Sequence, residues 1–192
     1  MRKIKLFVGL GNPGDNYKKT RHNAGFWWID FIVKNHKLTL KKSSKFIGSY
    51  AKHTEESDYY FLKPSTFMND SGLSILSLSK YYKIEPEEIL VVHDELDIEP
   101  GNIKLKLGGG HGGHNGLRDI ISKLGGNKDF YRLRIGIDHP GDKKLVHDYV
   151  LGRPSVSDRQ KIERSIEDIE DVIELIISGD MSAAMNRLHT DT

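Results

Sequence analysis

The sequence has no cysteine, which excludes disulfide bonds, cysteine nucleophiles and thiolate metal ligands. It also lacks any apolar run approaching the roughly 20 residues of a membrane-spanning helix. Its basic start, Met1–Lys3, leads into a strand-like segment rather than a signal peptide. No G-x-S-x-G motif indicates a serine nucleophile. We therefore expect a cytoplasmic protein without a membrane partner, whose chemistry does not use a cysteine or an activated serine.

Internal repeats, low-complexity segments and linkers are also missing from the 192 residues. A chain of this length can bury a sizeable core in one domain, so we predict a single domain spanning residues 1–192. The net charge of +2 is unevenly distributed. Residues 155–192 carry 4 Lys/Arg against 9 Asp/Glu, and residues 1–154 carry 25 against 18. This split suggests a polyanionic partner for the first part of the chain, with the acidic tail on another face.

The first distinctive stretch runs from a strand-like segment to a helix start. The apolar run Leu6–Val8 predicts a buried strand, and a glycine loop that presents Asn12 follows it. His22 comes directly before a helix-periodic run predicted to extend from about Asn23 to His36. Polar side chains after a strand end lie at the mouth of the sheet, where open α/β folds bind ligands. His22 is therefore the residue of this stretch that we expect to do chemistry.

The same stretch also fits a nucleotide-binding pattern. Gly9–Gly14 matches G-x-G-x-x-G after a predicted strand. In that motif the helix opens within the glycines and faces the pyrophosphate, whereas here Pro13 and the polar run Asp15–Arg21 delay the helix. Asp30 would lie inside the helix rather than bind a ribose. A plain glycine turn, or a turn presenting Asn12, is the preferred interpretation, and a nucleotide-dependent oxidoreductase is kept as an alternative.

Strands and helices alternate along the rest of the chain. Predicted strands are 46–53, 58–63, Ile89–His93, Ile103–Leu107, Tyr131–Ile137 and a short last strand, His147–Leu151, with a turn at Thr54–Asp58 and a loop at Lys63–Asp70. Predicted helices include one with Leu73, Leu76 and Tyr81 among its apolar positions, one after Gly116, a long one capped by Ser157 with Gln160 and stopped by Gly179, and a short one, Ser182–Leu188. This alternation predicts one three-layer α/β domain.

Several strand ends and loops carry polar residues that could act together. Asp94 follows the second continuous apolar run, and His114 with Asn115 ends a loop of six glycines in nine residues, 108–116. A buried carboxylate fixes the tautomer of a histidine, whose other nitrogen can then take a proton. Without a nucleophile, such a pair points to base-activated water. The amides of Asn12, Asn69 and Asn115 can bind an acyl group with a peptide-like backbone.

Each of these residues also has an ordinary structural interpretation. A histidine before a helix is often a cap, and Asp94 can simply anchor a loop. His111 and His114 are spaced like metal ligands, but the sequence has no obvious carboxylate cluster near them, so we expect no metal site. The remaining candidates can be solvated strand faces or core residues: Lys104, Lys106, Arg134, Phe67 and Met68.

Five motifs, in order, cover nearly the whole chain and resemble bacterial-type peptidyl-tRNA hydrolase. They are VGLGNPG with TRHNAG, the pattern KPSTFMNDSG at Lys63–Gly72, HDELD at His93–Asp97, LKLGGGHGGHNGLRDIISKLG, and YRLRIGIDHPG with the late DYVLG at Asp148–Gly152. The resemblance implies hydrolysis of the ester joining a peptide to the 3′ ribose of tRNA, which recycles tRNA from abandoned translation. It further implies a mixed twisted sheet with helices on both faces, a monomer, and no cofactor or metal.

The resemblance also implies roles for individual residues. His22 matches the catalytic base and Asp94 the acid that orients it. The residues that match peptide-binding, water-positioning and site-lining positions are Asn12, Tyr17, Met68, Asn69, His114 and Asn115. Those that match the basic patch for the tRNA acceptor end are Lys104, Lys106 and Arg134. An RNA-binding module without catalysis is the remaining alternative, since it would share the basic patch but not turn over substrate.

Overall fold

The computed structural model describes residues 3–54 and 58–189, which form one mixed sheet covered by helices. Its strands are β1 (Leu6–Gly9), β2 (Lys41–Ser43), β3 (Gly48–His53), β4 (Tyr59–Pro64), β5 (Ile89–Glu95), β6 (Ile103–Leu107) and β7 (Tyr131–Gly136). In the described residues the sheet has seven strands in the order β2-β3-β4-β1-β5-β7-β6. Strands β4, β1, β5 and β7 are parallel, while β3 and β6 pair antiparallel with β4 and β7. Residues 55–57 of the predicted turn lie outside the described part of the chain.

The helices lie on both faces of this sheet. They are α1 (Ala24–Asn35), α2 (Ser71–Tyr82), α3 (Asn115–Lys123), α4 (Val146–Val150), α5 (Val156–Asp168), α6 (Glu170–Ser178) and α7 (Met181–His189). The central strands are buried on both faces, as expected of parallel strands covered by helices. On β1, Phe7 packs with α1 and the C-terminal helices, while Leu6 and Val8 pack with α2 and α3. The predicted three-layer α/β fold is therefore confirmed. In the described part of the chain, no helix combines the length and apolarity needed to span a bilayer.

The predicted last strand is wrong. Residues 147–150 of the segment His147–Leu151 lie in helix α4, which follows a 3-10 turn at Lys143–Leu145. Asp142 starts this turn, because its side chain accepts a hydrogen bond from the amide of Lys144. The apolar residues Val146 and Val150 are four apart, which suits one helix face, and five residues proved too few to separate this spacing from strand alternation.

Two helix predictions also need correction. The C-terminal helix begins two residues earlier than expected, because Ser155, not Ser157, accepts a hydrogen bond from the amide of Asp158. It is also interrupted at Ile169, which separates α5 from α6. Gly179 ends α6 with φ of 86°, as predicted. In α2 the buried apolar residues are Ile75 and Leu78, whereas the predicted positions Leu73 and Tyr81 are exposed. The short edge strand β2 was not predicted.

Candidate active site

The glycines after β1 have a structural reason that does not involve a nucleotide. A Cβ atom at Gly25 would lie 2.3 Å from the Val92 carbonyl oxygen, and one at Gly9 would lie 2.3 Å from the Gly25 carbonyl oxygen. Real Cβ atoms do not come so close, so only glycine lets α1 begin directly against the ends of β1 and β5. The helix begins ten residues after Gly14, and the 3-10 turn Arg21–Asn23 immediately before it carries the candidate histidine.

His22 and Asp94 are hydrogen-bonded, as predicted from their positions after two strand-like runs. Strands β1 and β5 are parallel neighbours, with Gly9 opposite Val92. Nδ1 of His22 lies 2.9 Å and 3.0 Å from the two carboxylate oxygens of Asp94, and both side chains are buried. An ionised carboxylate only accepts hydrogen bonds, so Nδ1 donates and Nε2 keeps its lone pair. The pair therefore has the tautomer that a general base requires.

His114 forms a second hydrogen bond to the same carboxylate. Its Nε2 lies 2.9 Å from Oδ1 of Asp94, and its Nδ1 accepts a 3.4 Å hydrogen bond from the amide of Leu117 at the start of α3. The amide can only donate, which fixes the proton of His114 on Nε2. Asp94 thus joins the turn that carries His22 to the glycine loop that ends at His114. The sequence did not indicate this contact.

The electrostatics follow from burial and from these contacts. Burial raises the pKa of Asp94, but attraction and hydrogen bonds from His22 and His114 outweigh it and hold that pKa well below its usual range. Burial lowers the pKa of His22, yet the charge and hydrogen bond of Asp94 raise it overall. Burial, with the nearby His114, lowers the pKa of His93 to about 3. His93 therefore stays neutral, and its Nδ1 donates to the Asp94 carbonyl oxygen at 2.7 Å.

The predicted asparagines surround the same cavity, whose volume is about 1150 Å³. Asn12 is buried, and its side-chain oxygen accepts from the amide of Met68 at 2.7 Å. Asn23 holds the Asn12 backbone from both sides, accepting from its amide and donating to its carbonyl oxygen. The side-chain oxygen of Asn115 accepts from Arg118 at 3.0 Å. Because the side-chain oxygens of Asn12 and Asn115 already accept hydrogen bonds within the protein, the NH₂ groups of these two residues are the parts that can donate to a ligand.

Nine of the eleven residues predicted for the site line this cavity. They are Asn12, His22, Met68, Asn69, Asp94, Lys106, His114, Asn115 and Arg134. The other two lie outside its lining. Tyr17 packs edge-to-face on the exposed Phe67 with ring centroids 5.9 Å apart, and Phe67 does line the cavity. Lys104 is further along β6, directly opposite Arg134 on β7.

Strands β6 and β7 place four cations on one face. Lys104 pairs with Arg134 and Lys106 pairs with Arg132 across the two strands, and cross-strand partners point to the same side of a sheet. Lys104 and Lys106 are exposed, while Ile103 and Leu105 between them are buried, as the alternation predicted. Arg134 also lies 3.5 Å from Glu95. The predicted grouping of Lys104, Lys106 and Arg134 is thus what the strand pairing produces.

Arg132 is a site residue that the sequence pattern did not indicate. Its side chain is buried, and its two terminal nitrogens donate to the carbonyl oxygens of Gly109 and Gly110. Burial lowers its pKa, as does the nearby Arg134. The glycine loop reaches His114 through residues with positive φ, including Gly112 and Gly113. Because glycine adopts positive and negative φ with similar ease, these residues do not by themselves determine the path of the loop. Arg132 therefore anchors the beginning of a loop whose end contacts Asp94.

Fold and site together define an α/β protein with a histidine–aspartate pair at the carboxyl ends of parallel strands, beside a cavity lined by amides and cations. The family model described as peptidyl-tRNA hydrolase matches residues 6–192. The chain belongs to the peptidyl-tRNA hydrolase family.

Individual relatives support the same assignment. The chain is 54% identical to the peptidyl-tRNA hydrolase of Histophilus somni (strain 129Pt) over 190 residues, which covers 98% of each chain. It is 53% identical to that of Pasteurella multocida (strain Pm70), again with 98% of each chain covered. A crystal structure of peptidyl-tRNA hydrolase from Acinetobacter baumannii matches with a TM-score of 0.92 and 46% identity, covering 96% of this chain and 94% of that one.

Proposed function

We propose that the protein hydrolyses the ester bond between peptide and tRNA in peptidyl-tRNA, and so recycles tRNA from abandoned translation. The observation that carries this proposal is the buried hydrogen bond between His22 and Asp94, which leaves Nε2 of His22 as the nitrogen able to accept a proton at the cavity. Water is the nucleophile, and the reaction needs no cofactor because water supplies the atoms that complete both products.

His22 acts as the general base in this scheme. Its Nε2 takes a proton from water as the water oxygen attacks the ester carbonyl. Asp94 fixes the tautomer and stabilises the imidazolium ion that forms. When the tetrahedral intermediate collapses, the imidazolium returns the proton to the departing ribose oxygen. An ester is intrinsically labile, so this base together with a few oriented donors suffices for the chemistry.

The amide groups of Asn12, Asn69 and Asn115 bind the peptide and stabilise the negative oxygen of the intermediate. Asn12 is the best oriented of the three, since the amide of Met68 fixes its side-chain oxygen. Preorganised donors of this kind contribute about 10²- to 10³-fold to turnover when they face the oxyanion. Tyr17, Met68 and His114 complete the wall around the peptide.

The tRNA acceptor end lies across the basic face of β6 and β7. Lys104, Lys106 and Arg134 are on one side of this strand pair, and two of them also line the cavity. Lysine and arginine side chains bind phosphate groups independently of sequence. Phosphates near the scissile ester would therefore hold the 3′ end of tRNA beside His22.

The protein acts as a monomer of one domain, residues 1–192, in the cytoplasm. The cavity supports the monomer, because the catalytic pair, the amides and the cations that line it all come from one chain. Light scattering after size-exclusion chromatography should give a mass near 21.8 kDa. A dimeric mass would contradict this part of the proposal.

The activity is tested with two substrates that differ in one group. Pure protein is incubated with N-acetyl-aminoacyl-tRNA and with unblocked aminoacyl-tRNA, and ester cleavage is followed. We expect cleavage of the blocked substrate, because its amide resembles a peptide, and much slower cleavage of the free amine. Tight binding of tRNA without turnover would instead indicate an RNA-binding module.

A further inference from the structure

We propose that His22, Asp94 and His114 form a binding site for a transition-metal ion such as Zn²⁺, and that the bound ion switches the enzyme off. One potential ligand atom from each residue lies within 4.8 Å of the other two. Two imidazoles and one carboxylate, with a fourth position open to a cavity, are a set of ligands that zinc accepts in proteins. Binding is a property of the site itself, whereas the inhibition rests on the proposed function.

The two distances to Asp94 are close to what the ion needs, and the ligand nitrogens of His22 and His114, which lie within 4.8 Å of each other, would approach to complete the site. Asp94 lies 2.9–3.0 Å from Nδ1 of His22 and 2.9 Å from Nε2 of His114. Zinc–ligand bonds of about 2.0–2.1 Å place the ligand atoms of a tetrahedron about 3.3 Å apart. Each contact with Asp94 therefore opens by only a few tenths of an ångström when a metal replaces the shared protons.

Metal binding would stop His22 from acting as the general base, because it would change which ring nitrogen carries the proton. A neutral imidazole that binds metal through one nitrogen keeps its single proton on the other. When Nδ1 of His22 binds the ion, the proton moves to Nε2, and Nε2 can no longer accept a proton from water. In His114 the proton moves to Nδ1, at the cost of the long 3.4 Å hydrogen bond from Leu117. No net proton is released by these two shifts.

This set of ligands differs from the pair His111 and His114, whose spacing resembles that of metal ligands but for which the sequence predicted no metal site. His111 accepts a 3.0 Å hydrogen bond from the amide of Gly113 within its own loop, and it is not a member of the three-residue group. The sequence shows no carboxylate cluster near these two histidines. The structure supplies one carboxylate from Asp94, which is distant from His114 along the chain. With a single carboxylate the site suits Zn²⁺ or Co²⁺ and not Mg²⁺, which prefers six oxygen ligands. Magnesium present with tRNA should therefore not inhibit.

The binding test uses Co²⁺ as a spectroscopic probe and does not need activity. Metal-free protein is titrated with Co²⁺, and the visible absorption of a tetrahedral site is recorded. We expect saturation at one ion per chain and displacement by Zn²⁺. The signal should be lost in Asp94→Asn and His114→Ala, with folding of each variant checked by circular dichroism. His111→Ala and His147→Ala should keep it, since neither side chain bonds Asp94.

The inhibition test follows ester cleavage by the same protein. Zn²⁺ should abolish turnover with the stoichiometry seen for Co²⁺, a chelator should restore it, and millimolar Mg²⁺ should leave it unchanged. His147→Ala should be inhibited like the wild type. Failure of the metal-free protein to cleave the ester would count against the proposed function, while the Co²⁺ titration would still decide the metal site.

Three results would overturn the proposal. The first is absence of a saturable Co²⁺ site, and the second is a site that survives Asp94→Asn but is lost in His111→Ala. Higher turnover with bound Zn²⁺ would be the third, because the ion would then activate water instead of blocking the base.

Discussion

The ends of β1 and β5 differ from the outer strand pair, β6 and β7, in how far their polar groups are paired within the protein. At the first place, His22 and His114 are each hydrogen-bonded to Asp94, and all three side chains are largely buried. At the second, Lys104 and Lys106 are exposed and point to solvent. Buried groups in a fixed arrangement supply orientation, and exposed cations supply attraction that salt can screen. Changes at the two places should therefore alter different kinetic constants.

The largest effect is expected for His22→Ala. Removing the general base should lower kcat by about 10³-fold or more, while the thermal stability and the affinity for tRNA stay close to wild type. Turnover of N-acetyl-aminoacyl-tRNA, melting by circular dichroism and a filter-binding assay measure the three quantities. His147→Ala is the matched control, because His147 lines the same cavity but bonds Asp148. Retained turnover in His22→Ala would remove this residue from the mechanism.

A smaller loss, about 10²-fold in kcat, is expected for Asp94→Asn, together with a change in pH dependence. Asp94 raises the pKa of His22, and the protonated base is inactive, so wild-type activity falls as pH drops through that raised pKa. In the variant, burial still lowers the pKa of His22 and the opposing charge is gone. The acid limb of kcat/KM should therefore move to lower pH. An unchanged limb in the variant would show that it reports a different group.

The next effect concerns Arg132, which lies on β7 and anchors the glycine loop that leads to His114. Arg132→Lys keeps the charge but cannot donate to the carbonyl oxygens of both Gly109 and Gly110. The loop that carries His114 would lose its anchor, and kcat should fall about 10-fold on peptidyl-tRNA and equally on an N-acetyl-aminoacyl ester of a nucleoside. If only the tRNA substrate were affected, Arg132 would belong to the phosphate contacts instead.

The smallest effect on the chemistry is expected for Arg134→Ala. This change should raise the KM for peptidyl-tRNA and reduce the salt slope of tRNA binding by about one unit, because one phosphate contact is lost. The nucleoside ester has no tRNA body, so its cleavage should hardly change. Equal losses on both substrates would instead assign Arg134 to the fold or to the chemistry, where it lies near Glu95.

The fold could be predicted from the sequence where a clear apolar pattern coincides with burial in the structure. Each of the two strand-like runs before His22 and Asp94 is buried, and adjacency in a sheet was enough to predict their contact. Helix α4 could not be separated from a strand, because five residues contain too little periodicity. Burial of Arg132 also left no signal, since an arginine that alternates along a strand is usually solvated.

The contact of His114 with Asp94 was out of reach for a different reason. The glycine loop adopts positive φ at several positions, including Gly108, Gly109, Gly112 and Gly113. Glycine visits both halves of the φ range with similar ease, so its sequence does not say where the loop ends in space. The position of His114 is determined by tertiary contacts: Arg132 at one end of the loop, and the amide of Leu117 at the other.

The close approach of Gly25 to Val92 and Leu10 has a consequence for how the enzyme behaves on heating. A Cβ at Gly25 would meet three backbone atoms at 2.3–2.6 Å, so the backbone of α1 packs directly against the backbone of the sheet at this point. We therefore expect His22, in the turn before α1, to keep its position as long as the sheet remains folded. Loss of activity should coincide with cooperative melting of the whole molecule, whereas an active site on a loosely attached loop would fail at a lower temperature.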